Sequence, residues 1–276
     1  MFVQLPTLNS QLSTLNSQLS TKKMQSMIFA AGLGTRLRPL TDTMPKALVP
    51  VAGEALLGHV VKRLRRAGCD RIVVNVHHFA RQITDYLRRN DNFGIDIRVS
   101  DESEMLLDTG GGLKKAAPLF RRDEPILIHN VDIISNVDIN GLYDEALHGD
   151  ADAVLLVSSR QTTRYLLFDD DMNLTGWKNV KTGELRGPIA AGGTEKTGQA
   201  SVRALAFSGL HVISARLLDM MNDMPDRFGI IDFYLKICGR RRIKGLHKTG
   251  LRLLDVGKTD TLAEAGRFIA EIKDVR

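Results

Sequence analysis

Cysteine is scarce. Cys69 and Cys238 are the two in 276 residues, far apart and in no Cys-x-x-Cys or Cys/His spacing. Neither a disulfide framework nor a structural zinc site is expected, and a reducing compartment is implied. Long apolar runs are missing too. The stretch 151–157 is broken by Asp152 and falls far short of the roughly 18 residues that cross a bilayer. The N-terminus lacks a basic segment leading into an apolar core and a small-residue cleavage site, so a cytoplasmic location is expected. Aromatic residues are only 5% and do not interleave with basic ones. That argues against a single-strand stacking platform, and neither nucleic acid nor membrane is expected as a partner.

What remains is an ordinary globular composition, 43% apolar and 25% charged, which excludes disordered and fibrous classes. Lys and Arg (38) exceed Asp and Glu (32), a balance that suits a phosphate-bearing small molecule. Residues 7–20 are a perfect tandem repeat, Thr-Leu-Asn-Ser-Gln-Leu-Ser twice, and no acidic residue precedes Asp42. Two heptads are too few for a coiled coil, and polar Ser/Asn/Gln repeats rarely order themselves. Residues 1–26 are therefore expected to form a disordered, repeat-containing tail, with a natural start at Met24 or Met27, and 27–276 a single domain. Deleting 1–23 is expected to leave activity unchanged.

From Met27 short apolar runs alternate with amphipathic stretches, the signature of βα units around a parallel sheet. Strands are expected at 27–31, 71–76, 95–99 and 125–129, all parallel, with helices at 56–67, 79–89 and 112–120. Beyond residue 150 the pattern changes to strands at 153–157, 165–168, 174–178 and 202–213, then 251–255 and a closing helix over 259–272. Residues 182–201 are rich in Gly and Thr and read as a long loop, a candidate substrate flap.

The most informative stretch follows the first strand: Ala30-Ala31-Gly32-Leu33-Gly34-Thr35-Arg36-Leu37-Arg38-Pro39-Leu40-Thr41, then Pro45-Lys46-Ala47-Leu48-Val49-Pro50. Two glycines let backbone amides form an anion nest, and Arg36, Arg38 and Lys46 add cationic groups to the same loop, a combination suited to polyphosphate. A dinucleotide fingerprint fails, because its third glycine would fall at Leu37 and the second strand ends in Asn75-Val76 rather than an acid. No Gly-Lys-Ser/Thr closes the loop as in a P-loop.

These residues resemble the sugar-1-phosphate nucleotidyltransferases, whose pattern A-A-G-x-G-T-R-L-x-P-L-T followed by P-K-x-L-x-P is matched from Ala30 to Pro50. The resemblance extends through Asp108-Thr109-Gly110-Gly111-Gly112, Asn130-Val131-Asp132 and Leu254-Asp255-Val256-Gly257, about residues 27–270. It departs where Val131 replaces a common Gly, and where Lys258-Thr259 follows Gly257 in place of Thr-Pro. The implied fold is α/β, a Rossmann-like, mixed, mostly parallel sheet of the nucleotide-diphospho-sugar transferase type. The implied activity joins a nucleoside triphosphate, UTP first, to a sugar 1-phosphate, with N-acetylmuramate 1-phosphate among the sugars and pyrophosphate as the second product. Guanylyl transfer to mannose 1-phosphate is the alternative, and a homodimer is part of the resemblance.

By the same resemblance Mg²⁺ is the cofactor, held by Asp132 and Asp255. Arg36 grips the leaving phosphates, and Lys46 the α-phosphate and sugar phosphate. Ala31, Gly32, Gly34, Thr35, Asn75, Gly110, Gly111 and Lys178 contact substrate, the two glycines at 110 and 111 through backbone groups facing the base. Bland alternatives stand beside these: a strand-end cap for Asp132, an exposed hairpin lysine for Lys178, a packing role for Asn75 and His77, and a domain-edge plug rather than a sugar-stacking ring for Trp177. His129 reads as buried structure. A rival of another class is a catalytically silent nucleotide-sugar-binding regulatory subunit, which would be expected to have lost Arg36, Lys46 or an aspartate.

Overall fold

The computed structural model describes residues 23–191 and 202–273, and the repeat at 7–20 lies outside them. In chain order the strands are β1 Met24–Phe29, β2 Pro50–Val51, β3 Glu54–Ala55, β4 Cys69–Val76, β5 Asp96–Asp101, β6 Ile126–Asn130, β7 Ile133–Ser135, β8 Ala153–Ser158, β9 Arg164–Phe168, β10 Leu174–Asn179, β11 Leu185–Arg186, β12 Arg203–Ile213, β13 Ile243–His247 and β14 Leu253–Asp255. The α-helices are α1 Leu56–Arg66, α2 Ala80–Arg89, α3 Asp108–Ala116, α4 Ile139–His148, α5 Leu217–Met220, α6 Ile230–Ile237 and α7 Thr259–Lys273.

Ten strands form one mixed sheet. Its parallel core runs β5-β4-β1-β6, as the alternation of apolar runs and helices predicts, and β12 joins β6 antiparallel. Beyond β12 the sheet forks, with β9, β10 and β11 along one branch and β8 and β13 along the other. Following the pairings, only β12 and β10 run against the rest, so the expected mostly parallel, Rossmann-like sheet is present. Its central strands are buried on both faces, which is why they read as nearly continuous apolar runs. Helices α1, α2, α4 and α7 cover one face, and α3, α5 and α6 the other.

Two boundaries differ from the sequence reading. The first strand starts at Met24, not Met27, so residues 24–26 belong to the sheet rather than to the tail. The reason is polar: Gln25 is fully buried, its amide donates to the carbonyls of Arg121 (2.8 Å) and Glu124 (3.1 Å), and its oxygen accepts from Arg121 N (2.8 Å). A glutamine satisfied at both ends looks like tail in a sequence and is core in the fold. The third helix begins at Asp108 rather than at residue 112, and ends at Ala116 before a 3-10 turn, Ala117–Leu119. In the expected long loop, Leu185–Arg186 pairs with β10 and Pro188–Ala191 forms a 3-10 turn. Residues 192–201 lie outside the described residues. Among those described, no helix is long and apolar enough to cross a membrane, and both cysteines are free.

Candidate active site

The loop after β1 folds as three successive 3-10 turns, Thr35–Leu37, Leu40–Asp42 and Lys46–Leu48. Leu37 and Ala47 anchor it in the core. Gly34 adopts φ +64°, and a Cβ there would lie 2.9 Å from both Lys46 Cβ and Thr41 Cγ2. Glycine is needed twice over, for the left-handed backbone and for the close approach of the lysine stem. Thr41 Oγ1 donates to the Gly34 carbonyl (2.9 Å) and closes the loop on itself. Gly32 differs: nothing among the described residues stands within 4 Å of its absent side chain, so its backbone borders open space.

That loop brings Lys46 to Asp132 at the C-terminal edge of β6. Lys46 is only 8% exposed, and its ammonium donates to Asp132 Oδ2. A cation this buried is tolerable because it is paired. Asp255 arrives from the far end of the chain. β14 pairs antiparallel with β7 so that Asp255 faces Ile133 in register, and Val256 N donates to the Asp132 carbonyl (2.8 Å). Beyond it, the position a Gly257 Cβ would take lies 2.6 Å from Asp255 Oδ1 and 2.7 Å from Arg36 Nη2. Arg36, Lys46, Asp132 and Asp255 thus gather around one strand edge, where open α/β sheets bind ligands.

A cleft of about 210 Å³ opens there, and of the expected contacts it is lined by Ala31, Gly32, Lys46, Asn75 and Asp132. Gly34, Thr35, Arg36 and Asp255 do not line it; Arg36 and Asp255 meet beside Gly257. Asn75 is engaged at both ends, accepting from Ala30 N and donating to Glu102 Oε1, each at 2.8 Å. It therefore fixes the start of the loop after β1. Glu102 was not anticipated. It is fully buried, burial raises its carboxyl pKa, and hydrogen bonds from Asn75 and Leu107 N partly offset that rise. Its signal was present: an acid directly after the end of the third parallel strand. Leu106, Asp108 and Thr109 complete the wall, with Asp108 at φ +60° and paired to Arg227 Nε (2.9 Å). Left-handed non-glycine residues cluster at functional sites.

Gly110 and Gly111 lie beside the cleft wall rather than in it. Both lie inside α3, both amides donate to the Phe228 carbonyl (2.9 and 3.1 Å), and neither lines the cleft. A Cβ at Gly110 would meet the Phe228 ring at 2.3 Å, and one at Gly111 the Asp226 carbonyl at 2.1 Å. The lack of a side chain at both positions permits close packing of α3 on the 226–228 segment. Lys178 is exposed on β10 and lines neither this cleft nor the cavity beside it. The Trp177 ring is covered by the Arg186 guanidinium at 3.9 Å. His77 Nδ1 sits 2.6 Å from the Glu102 carbonyl oxygen. His129 is fully buried, its pKa pushed down to about 3 by burial and then by Arg63.

Comparison with known proteins shows what the chain is similar to. Residues 25–168 match the family profile described as nucleotidyl transferase. The chain is 33% identical over 253 residues to an N-acetylmuramate alpha-1-phosphate uridylyltransferase of Caulobacter vibrioides, covering 89% of this chain and 97% of that one. A protein of the same name from Neisseria meningitidis is 42% identical over 123 residues, 45% of this chain and 53% of the other. Among solved structures, a putative glucose-1-phosphate thymidylyltransferase from Bacillus anthracis superposes with a TM-score of 0.71 at 16% identity, covering 89% of this chain and 94% of that one, a likeness of fold.

Proposed function

Since the chain belongs to the nucleotidyl transferase family, we propose that it joins UTP to a sugar 1-phosphate, N-acetylmuramate 1-phosphate first, and releases pyrophosphate. The observation that carries this reading is the 33% identity to the Caulobacter vibrioides uridylyltransferase over 97% of that protein. A cytoplasmic location, where nucleoside triphosphates are made, goes with it.

The reaction asks little covalent chemistry of the protein. A sugar phosphate has a second pKa of about 6 and is already dianionic at neutral pH, so its oxygen attacks without a general base. A new P–O bond forms at the α-phosphorus of the nucleotide, the bond to the β-phosphate oxygen breaks, and pyrophosphate leaves in line. The protein's task is placement and charge neutralisation. Gly32 offers open backbone to the phosphates. Lys46 is a movable point charge suited to the reacting phosphate, and Arg36 a planar fork suited to the departing pyrophosphate. Asn75 and Glu102 hold the loop that carries them.

Asp132 and Asp255 would hold Mg²⁺. The donor set fits: two hard carboxylates at neighbouring backbone positions suit an ion that takes one or two carboxylates and fills its octahedron with water and phosphate oxygens. When bound it supplies charge neutralisation of the transferring phosphoryl group.

A pyrophosphate-release screen tests the reading, with UTP, GTP, dTTP and CTP set against a panel of sugar 1-phosphates. UTP with N-acetylmuramate 1-phosphate is expected to give the highest kcat/KM. Binding without turnover for every pair would leave the regulatory alternative standing instead.

A further inference from the structure

Beside the cleft lies a second, larger cavity of about 580 Å³. Its floor is apolar. Trp177 pairs with Leu166 across β10 and β9, Leu166 pairs with Leu205 of β12, and Phe207 lies two residues further on the same face. Its rim is basic, with Arg160, Arg164 and Arg186. Arg186 is already committed: it stacks on Trp177, donates from Nη1 to Asp232 (2.6 Å) and holds Nε 3.4 Å from Glu184. One arginine thereby engages both carboxylates of the cavity. Arg160 gives one hydrogen bond to the Phe207 carbonyl (3.0 Å) and has no ion pair among the described residues. Arg164 has no side-chain partner among them. Two guanidinium groups line a half-apolar cavity in which no acidic side chain among the described residues is left to neutralise them.

The cavity adjoins the phosphate cleft along a shared wall. Ile231 and Asp232 line the cavity, while Ile230 N donates to Thr109 Oγ1 (2.9 Å), and Thr109 lines the cleft. On the sheet side Phe207 lines the cavity. Two residues along β12, about 7 Å, Gly209 packs against the Asn130 side chain at the cleft. A ligand with its phosphate at Lys46 and Asp132 can extend its sugar across this wall.

Building on the function proposed above, we propose that the cavity reads the sugar, and that Arg160 and Arg164 form a carboxylate grip selecting an acidic sugar 1-phosphate over a neutral one. Guanidinium matches carboxylate geometry in a bidentate, charge-assisted contact. The apolar floor takes the methyl groups of an acetamido or ether-linked acid substituent. A site built for a charged partner rejects the analogue lacking it more strongly than an apolar pocket rejects a missing methylene.

N-acetylmuramate 1-phosphate and N-acetylglucosamine 1-phosphate differ by one carboxylate-bearing ether and make the probe pair. Their kcat/KM values with UTP are compared in the native chain, Arg160→Gln, Arg164→Gln and the double variant. Both arginines are exposed, so the variants are expected to fold. The native chain is expected to prefer the acidic sugar. In the double variant that preference falls about tenfold or more, through KM for the acidic sugar, while KM for UTP is unchanged. Arg164→Lys restores part of it. An unchanged preference in the double variant, or a native chain indifferent to the carboxylate, overturns the grip and leaves uridylyl transfer intact. No turnover of either sugar with any of the four nucleotides overturns both.

Discussion

The Lys46 ammonium and the Asp132 carboxylate, 86 residues apart in sequence, pair directly at the edge of the sheet. The pair fixes the positive and negative poles of the proposed site before any substrate enters. Asp132→Asn leaves the shape and removes the charge. Turnover is expected to fall about 100-fold or more, the scale of losing a preorganised charge at a reacting centre. Lys46, now facing a neutral amide, should lower stability by about 1–3 kcal/mol. Pyrophosphate release and a thermal melt read the two effects, and near-native turnover would remove Asp132 from the chemistry.

If Asp132 and Asp255 hold Mg²⁺ as proposed, turnover depends on the ion. Chelation with EDTA is expected to abolish turnover and added Mg²⁺ to restore it. Asp255→Asn, which deletes one of two proposed ligands, should raise half-saturating Mg²⁺ by at least about tenfold with KM for the sugar phosphate nearly unchanged. A titration of rate against Mg²⁺ that superposes on the native curve would exclude Asp255 as a ligand.

Gly34→Ala tests whether the phosphate loop is positioned by its backbone. The left-handed conformation costs an alanine about 1–2 kcal/mol, and the new methyl would press on Lys46 Cβ and Thr41 Cγ2. Melting temperature should fall and KM for the nucleotide rise together, since the atom displaced belongs to the lysine.

Gly111→Ala separates packing from base recognition. Its methyl would collide with the Asp226 carbonyl, an overpacking defect of about 1–3 kcal/mol. A lowered denaturation midpoint, with no change of preference among the four nucleotides in the surviving activity, is the expected result. A normal midpoint with altered base preference would return this glycine to the ligand.

Acid should destabilise the fold through two buried histidines. Burial pushes His129 and His211 down to about 3, whereas an unfolded imidazole titrates near 6.5. Below about 6.5 the unfolded chain therefore binds more protons, and stability falls with pH by about 1.4 kcal/mol per unit for each histidine. Among the described residues both His211 nitrogens lack hydrogen-bond partners, so His211→Leu removes one titration without orphaning a neighbour. Urea midpoints between pH 5 and 7 should show a shallower slope in the variant.

Glycines show where sequence reading stops. Gly34 and Gly111 are equally conspicuous as letters, yet one shapes the phosphate loop and the other receives a neighbouring carbonyl. An absent side chain signals close approach without saying by what. Gln25 shows the converse, a polar residue drawn into the sheet because its amide meets two carbonyls about a hundred residues away. Lys178 is singled out by resemblance alone, and β10 carries it on an exposed face.

The alternation of apolar runs with helical stripes determined the parallel core, because period and burial are local properties written into each segment. The glycine- and cation-rich turn pointed to an anion site for the same reason. Only the tertiary structure decided that Asp255 stands beside Asp132, that Glu102 braces Asn75, and that two arginines with no acidic partner among the described residues line a cavity next to the cleft. Those relationships depend on which strand ends meet across the sheet, and pairing between distant segments is set by the packing of the whole core rather than by any one stretch of chain.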